Sequence, residues 1–387
     1  MLDLTCGIAV TSVGHAHPRV VRAISEQAAK LMHISTGVAT YEANIALAEA
    51  LGTVTPQGLD TVFFGNSGAE AVEASIKLAR QTTRRQAVIA FRGGFHGRTA
   101  GALTVTTSKS SYRTGYGAML PEVYVAPYPY ALTCPIAPQH DAAACAAHCL
   151  AELETMLEHE VPAEHVAAIL IEPVLGEGGY VAPPSSFLVA LRELATRIGA
   201  LLVMDEVQTG FGRTGAWFAT QKHGVDPDIL VLAKALGGGL PLGAIVTSRE
   251  LQEKWISGTH GSTFGGNPVS YAAGLASFEV IRDEGLVARA ERLGELMVNE
   301  LVPLRTHPRV REIRRFGAMV AVEFDSKAAA KAAISGALER DVLLITCGAH
   351  DQAVRFIPAL NIAEEDLRRG VRALVAAAAA AGTPAAV

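Results

Sequence analysis

Seven short apolar runs alternate with longer amphipathic stretches through the middle of the chain, and this alternation restricts the fold more than any other feature. The runs are continuously apolar, which is typical of strands that are buried on both faces. Strand–helix alternation predicts an α/β fold with a mostly parallel sheet. The predicted strands are Val62–Phe64, Ala87–Phe91, Val123–Val125, Ala167–Ile171, Ala200–Met204, Ile229–Leu232 and Ala244–Thr247, and the predicted helices between them are Ala69–Gln81, Ala142–Leu157 and Ser185–Arg197.

A second pattern begins near Tyr271, where the sequence becomes helix-rich and then predicts shorter strands near Gly317–Phe324 and Leu343–Thr346. We interpret this part as a smaller α+β domain that follows the large domain. The predicted limits are 25–275 for the large domain and 276–387 for the small domain.

The composition excludes several classes of protein. Half of the 387 residues are hydrophobic and 18% are charged, so the chain can build a sizeable core and is not a disordered one. The formal charge of -5 lacks the basic excess of a nucleic-acid-binding surface. The longest apolar runs, such as Ile198–Met204, are too short to span a membrane, and no signal peptide is recognisable. Five cysteines are too few for a disulfide scaffold, so we expect a cytoplasmic protein.

The first candidate site is the segment from Gly65 to Val72, which follows a predicted strand and opens a predicted helix. Small residues at such a turn expose backbone N–H groups at the positive end of the helix, where a phosphate can bind. A tight turn with Ser67 as the helix N-cap is the alternative. The segment is neither a GxGxxG nor a Walker A motif, so a dinucleotide or a nucleoside triphosphate is not indicated.

Two further candidates follow apolar strands. Asp205 and Glu206 lie at the carboxyl end of one strand, where ligands bind in open α/β sheets. A carboxylate there can hold a cation, a metal ion or a protonated ring nitrogen, or it can be a structural acid. Lys234 lies between another strand and the glycine-rich segment Gly237–Gly243. Desolvation in such apolar surroundings lowers the pKa of a lysine, which suits a nucleophile and proton carrier.

Together these three features fit one chemistry. Pyridoxal phosphate needs a phosphate-binding turn, an acid that keeps its ring nitrogen protonated, and a lysine that forms a Schiff base. A lysine released from that Schiff base can move a proton between two carbons as general base and then as general acid.

With these motifs the chain resembles the class III (omega) aminotransferases, which are pyridoxal-phosphate enzymes of fold type I. The resemblance runs from Leu2 to about Asp366 and implies that Lys234 is the Schiff-base lysine. It also implies that Asp205 contacts the pyridine nitrogen, Val207 the ring and Gln208 the region of the ring hydroxyl.

The same resemblance implies the remaining cofactor contacts. Gly68 and Ala69 are expected to bind the phosphate through their backbones, and Phe95 is expected to stack on the ring. Thr263 matches a residue that reaches the phosphate of the neighbouring subunit. The resemblance therefore implies at least a homodimer with shared active sites.

Within the family the resemblance is strongest to the 4-aminobutyrate aminotransferases. It places Ile8 and Glu172 in the substrate pocket and implies that Arg98 holds a distal carboxylate. Arg355 would bind the α-carboxylate of glutamate, and Glu177 would neutralise Arg355 when an omega-amino acid is bound. No metal ligand is implied by the resemblance.

The expected reaction is the transfer of an amino group from 4-aminobutyrate, or a similar omega-amino acid, to 2-oxoglutarate by a ping-pong mechanism. It gives a semialdehyde and glutamate, so the partners are a small amine donor and a 2-oxo acid. An acetylornithine or ornithine aminotransferase and an amino-acid racemase stay open as alternatives on the same cofactor. A nucleotide-binding protein or dehydrogenase, and an inactive relative, are the alternatives from other classes.

Two departures from the family pattern stand out. The segment from Cys134 to Cys149 is longer than in the bacterial relatives, and a metal site at Cys145, His148 and Cys149 is conceivable there. Reduced cysteines packed under a loop are the commoner arrangement. The family also carries roughly 40 residues ahead of the segment matching Leu2–Gly7. We therefore expect residues 1–24 to be a shortened N-terminal segment that packs with the small domain.

Overall fold

Thirteen strands in three sheets form the β-structure of the residues that this computed structural model describes, which are 1–117, 119–136 and 141–380. The strands are β1 (Leu2–Asp3), β2 (Thr61–Gly65), β3 (Ala87–Phe91), β4 (Val123–Ala126), β5 (Val166–Ile171), β6 (Leu201–Asp205), β7 (Ile229–Leu232), β8 (Gly243–Thr247), β9 (Val310–Phe316), β10 (Met319–Phe324), β11 (Val342–Leu343), β12 (Ile345–Cys347) and β13 (Ala353–Phe356).

Thirteen α-helices accompany these strands within the same residues. They are α1 (Cys6–Ala9), α2 (Pro18–Lys30), α3 (Glu42–Gly52), α4 (Gly68–Thr83), α5 (Ala100–Val105), α6 (Ala142–His159), α7 (Ser185–Ile198), α8 (Ala219–His223), α9 (Arg249–Glu253), α10 (Pro268–Asp283), α11 (Leu286–Glu300), α12 (Lys327–Leu338) and α13 (Glu364–Ala380). None of the helices in this described part of the chain has the length and apolarity that a membrane span requires.

The large sheet has the order β2-β8-β7-β6-β5-β3-β4, and only β8 runs against its neighbours. This confirms the predicted α/β fold with a mostly parallel sheet, and all seven predicted strands occur in it. Helices cover both faces: Val88 packs in one cluster with Leu78 of α4, whereas Phe91 packs on the opposite face against Phe187 of α7. Because successive strand residues point to opposite faces, both-face burial requires an unbroken apolar run.

The small sheet is antiparallel and has the order β12-β13-β10-β9. The prediction of one strand over Leu343–Thr346 is wrong, because the chain changes sheets at Leu344. β11 pairs with β1 in a two-stranded parallel sheet, while β12 joins the small sheet. Leu344, the residue between the two strands, is itself buried, so the apolar pattern continues across the change of partner.

The predicted strand over Gly317–Phe324 begins two residues later than expected. Gly317 has a φ of 60° and belongs to the tight turn that joins β9 to β10. An added Cβ at Gly317 would lie 2.5 Å from the Cα of Thr214, so only glycine lets this turn approach the large domain. We keep the domain limits 1–24, 25–275 and 276–387 as a proposal.

Candidate active site

A cavity of about 330 Å³ opens at the carboxyl ends of the parallel strands of the large sheet. Open α/β sheets bind ligands at this edge, because loops from several strands converge there. Residues that follow β3, β5, β6 and β7 meet the first turn of α4 around the cavity. The predicted site residues that line it are Gly68, Ala69, Phe95, Glu172, Asp205, Val207, Gln208 and Lys234.

Lys234 stands two residues beyond the end of β7, at the start of a tight turn. Its φ of 50° is rare for a residue with a side chain, and such strain persists only where the surroundings impose it. Burial lowers the pKa of Lys234 below its usual value. The amine therefore releases its proton more readily than a surface lysine, as a nucleophile must.

Asp205, the last residue of β6, is held from two sides. Its Oδ1 accepts from the backbone N–H of Val207 at 3.0 Å, and its Oδ2 lies 2.8 Å from Nδ1 of His96. Because an ionised carboxylate only accepts hydrogen bonds, the imidazole nitrogen is the donor. Burial opposes a charge on His96, but the hydrogen bond to Asp205 and the negative charges of Asp205 and Glu172 together outweigh burial and raise the pKa of His96.

The sequence patterns did not predict a role for His96. It is adjacent to Phe95 in the predicted site, but its partner Asp205 is 109 residues away along the chain. The contact orients the Asp205 carboxylate beside the cavity. A cation or protonated ring nitrogen in the cavity would meet a fixed carboxylate.

The start of α4 offers a phosphate-binding turn. The hydroxyl of Ser67 accepts from the N–H of Glu70 at 3.2 Å and so caps the helix, as the alternative interpretation expected. This cap leaves the N–H groups of the first turn, including those of Gly68 and Ala69, without intrahelical acceptors. Both residues line the cavity, so the cap and the phosphate site are compatible.

Glu172 and Gln208 add polar groups to the opposite wall. Glu172 accepts from the N–H of Phe95 at 2.8 Å and from that of Gly176 at 2.9 Å. Burial raises the pKa of Glu172 to about 7. The Oε1 atom of Gln208 is buried and has no hydrogen-bond partner within the described residues. An unsatisfied buried acceptor at the cavity wall fits a ligand hydroxyl.

Glu177 and Arg355 form an ion pair outside the cavity lining, with 2.6 Å between Oε1 and Nη2. The side chain of Arg355, on β13, is 3% exposed. Its Nε and Nη1 atoms are buried and lack partners among the residues described. The guanidinium therefore retains donors for a carboxylate, and Glu177 occupies only part of it.

Besides Glu177 and Arg355, three further predicted residues lie apart from the cavity lining. Arg98 is exposed, and its guanidinium carbon lies 3.8 Å from the ring centre of Tyr112. Ile8 is 45% exposed and has a φ of 64°, and Thr263 is an exposed residue of a separate cavity. The structure does not bring these three to Lys234 within one subunit, and their roles stay predictions.

The described part of the cysteine-containing segment, 134–136 and 141–149, shows no metal site. Cys145 and Cys149 are buried in α6, Cys134 is half-buried, and all three are free thiols. Burial raises the pKa of Cys145 to about 12 and that of Cys149 to about 11. Within the described ranges no three His, Cys, Asp or Glu side chains are arranged to hold a metal ion. Residues 137–140 of this segment lie outside the described residues.

The α/β fold, the buried lysine, the fixed carboxylate and the phosphate-binding turn together define a fold type I, pyridoxal-phosphate-dependent transferase. A family model described as "Aminotransferase class-III" matches residues 1–378. The chain belongs to the class III aminotransferases. It is a pyridoxal-phosphate-dependent aminotransferase, and the alternative of a nucleotide-binding protein or dehydrogenase is wrong.

Similar proteins include several aminotransferases of this family. A 4-aminobutyrate aminotransferase of Mycobacterium leprae is 38% identical, covering 96% of this chain and 85% of its own. An acetylornithine aminotransferase of Methanothermobacter thermautotrophicus is 41% identical, covering 96% and 88%. A solved amine transaminase from an uncultivated Pseudomonas species, in its PLP-bound form, has a TM-score of 0.93 and 30% identity, covering 99% of this chain and 91% of its own.

Proposed function

We propose that the protein transfers the amino group of 4-aminobutyrate, or a similar omega-amino acid, to 2-oxoglutarate. The observation that carries this proposal is the 2.6 Å ion pair between Glu177 and Arg355. A transaminase accepts two substrates in one pocket, and a buried arginine with a removable acidic partner suits substrates that differ by one carboxylate. Glutamate has a carboxylate on its reacting carbon, whereas 4-aminobutyrate has none there.

The cavity fits pyridoxal phosphate, because each kind of group on the cofactor finds a matching group in the lining. Asp205 would hold the ring nitrogen, Gln208 the ring hydroxyl, and the N–H groups of Gly68 and Ala69 the phosphate. Val207 and Phe95 would enclose the ring, and Lys234 would hold the cofactor covalently. When bound, the cofactor supplies an electron sink for the electrons that a substrate C–H bond releases.

The residues of the chain supply the proton transfer. Because burial lowers the pKa of Lys234, its Nζ atom can accept the proton of the reacting substrate carbon as a general base and then give that proton up as a general acid. Asp205, held by His96, would place its carboxylate at the ring-nitrogen position in both half-reactions.

Substrate choice follows from Glu177, Arg355 and Arg98. Arg355 would bind the α-carboxylate of glutamate with two parallel hydrogen bonds after Glu177 leaves it. With 4-aminobutyrate bound, Glu177 would stay on Arg355, which avoids an unpaired buried charge. Arg98, whose guanidinium lies 5.9 Å from the Phe95 ring centre, would hold the distal carboxylate.

Ile8 and Glu172 complete the proposed substrate pocket. Glu172 contributes through the backbone of Phe95, which it fixes at 2.8 Å.

We also propose a homodimer with shared active sites. Thr263 would reach the phosphate of the cofactor in the neighbouring subunit. The surface around Thr263 supports this assembly, because Thr263 is exposed and its neighbour Phe264 is an exposed large aromatic residue. All five cysteines are free thiols, which supports the reducing cytoplasm as the location.

The test is a panel of amine donors with 2-oxoglutarate, run on the holoenzyme with glutamate formation as the readout. We expect 4-aminobutyrate to react with a higher kcat/KM than N-acetylornithine or ornithine. The Lys234→Ala variant is the control for uncatalysed transfer. A panel in which 4-aminobutyrate gives no glutamate would contradict the proposal.

An acetylornithine aminotransferase is the second candidate, and the 41% identical relative of that name favours it. The reacting carbon of N-acetylornithine also lacks a carboxylate, so the Glu177–Arg355 pair suits it equally. The same panel separates the two candidates, because N-acetylornithine would then exceed 4-aminobutyrate in kcat/KM.

A further inference from the structure

Two arginines lie in one cross-strand row of the small sheet. Ala321 on β10 pairs with Arg314 of β9 on one side and with Arg355 of β13 on the other. Residues that pair directly across strands project from the same face of a sheet. Arg314 and Arg355 therefore leave the same face of the small sheet, about 10 Å apart at their Cα atoms.

Both arginines hold the loop that carries Glu177, at positions two residues apart. Arg355 contacts the Glu177 carboxylate, while Arg314 donates to the Gly179 carbonyl oxygen from Nε at 3.0 Å and from Nη2 at 2.7 Å. The Glu177 carbonyl oxygen also accepts from the N–H of Gly348 at 2.8 Å. The backbone that follows the Glu177 side chain is thus tied to the small domain at two points.

Arg314 is itself fixed by three partners, one of which is buried. Its Nη1 atom lies 2.6 Å from Glu323 and 2.7 Å from Glu312, and it donates to the Tyr130 hydroxyl at 2.9 Å. The Glu323 side chain is 1% exposed. One end of the planar guanidinium is held by these groups, so the Nε and Nη2 edge is aimed at the Gly179 carbonyl.

We propose that Arg314 is a positioning residue for Glu177 and thereby sets the relative use of omega-amino acids and glutamate. This inference rests on the proposed function of the Glu177–Arg355 pair. With Gly179 clamped, Glu177 leaves and regains Arg355 by rotating its side chain, while its backbone stays in place.

The clamp, which is the two hydrogen bonds from Arg314 to the Gly179 carbonyl oxygen, matters most for a substrate without a carboxylate on its reacting carbon. Such a substrate leaves Arg355 dependent on Glu177 for a partner, and an unpaired buried charge is costly. Glutamate provides its own carboxylate to Arg355 and does not need Glu177 to return. Loss of the clamp therefore affects the omega-amino acid more than glutamate.

The test uses Arg314→Lys, which keeps a positive charge beside Glu323 but loses the two-pronged contact with Gly179. Arg314→Gln is the stronger change, and Arg314→Lys carries the test if Arg314→Gln does not fold. Arg315→Gln is the matched control, because Arg315 is the next residue of β9 and pairs instead with Glu291 at 2.7 Å. The holoenzymes are compared in both half-reactions and in amide hydrogen exchange of residues 176–180.

We expect Arg314→Lys to lower kcat/KM for 4-aminobutyrate relative to that for glutamate by about tenfold, the effect of losing one hydrogen bond to a charged group. Exchange at residues 176–180 should become faster in Arg314→Lys and stay unchanged in Arg315→Gln. In a Glu177→Gln background, Arg314→Lys should leave the ratio of kcat/KM for 4-aminobutyrate to kcat/KM for glutamate unchanged.

An equal loss of kcat/KM with both donors in Arg314→Lys would show a merely structural role and overturn the inference. Unchanged hydrogen exchange at residues 176–180 would also overturn it. If the unaltered enzyme accepts no omega-amino acid, the proposed function fails. The exchange measurement still decides whether Arg314 clamps the loop, because it needs no amine donor.

Discussion

Replacing His96 by Leu removes the only side-chain hydrogen-bond donor that the described residues provide to Asp205. Both side chains are buried, with Asp205 4% exposed, so water cannot replace the lost contact. A hydrogen bond to a charged group contributes about 1.5 to 3 kcal/mol. If that energy is lost when charge develops at the ring nitrogen, kcat falls by about tenfold to about 150-fold.

The assay is kcat of the holoenzyme with donor and 2-oxo acid both saturating, together with the cofactor Kd from a spectral titration. His96→Asn should recover part of the loss, because its amide N–H can also donate to Asp205. His223→Leu is the matched control: His223 is a buried histidine that stacks on Phe316, and it lies outside the cavity lining.

Two results would refute the reasoning about His96. The first is a folded His96→Leu enzyme with the kcat of the unaltered protein. The second is an equal fall of kcat in His96→Leu and His223→Leu, since only the first change reaches Asp205.

Three other predictions follow from the site and its surroundings. Lys234→Ala should remove the visible absorption of bound cofactor and all activity, whereas Lys77→Ala, a change far from the cavity, should keep both; an unchanged spectrum in Lys234→Ala would contradict the assignment. Gly97→Ala should destabilise the fold by about 1 to 3 kcal/mol in urea unfolding, because the new Cβ would lie 2.6 Å from that of Ala69 at a φ of 134°. The control is Gly52→Ala, whose new Cβ meets nothing within 4 Å, and equal stability of the two variants would refute the steric argument. Burial raises the pKa of Glu206 to about 7, so the folded state binds a proton there that the unfolded state releases near pH 4.5. The free energy of unfolding should therefore fall as pH rises from about 5 to 7, with a shallower fall in Glu206→Gln; parallel curves would contradict this.

The sequence predicted the large sheet well because the signal for each strand is local. Both-face burial makes a run such as Ala87–Phe91 apolar at every position, and that property is visible without knowing the neighbouring strands. The strand prediction fails at the segment Leu343–Thr346. Its apolar pattern is unbroken, yet the segment serves two sheets, since burial alone does not specify which strand provides the hydrogen bonds.

The cofactor cavity was predictable for a related reason. Parallel strands end at one edge of a sheet, so residues just beyond them, such as Asp205 and Lys234, converge once the strands are assigned. The residues proposed to act with the substrate or with a second chain were less predictable. Arg98 and Thr263 lie apart from the cavity lining of one subunit, because their proposed partners depend on substrate and on a second chain.

By itself the sequence determined the mostly parallel sheet, the turn that opens α4 and the positions of Lys234 and Asp205 at the carboxyl edge of that sheet. These follow from residue periodicity and from the order of neighbours along the chain. Only the tertiary structure decided that His96 meets Asp205 and that Arg314 clamps Gly179, across 109 and 135 residues. Such contacts depend on which strands and loops become neighbours in space. The sequence around a polar side chain does not identify its distant partner.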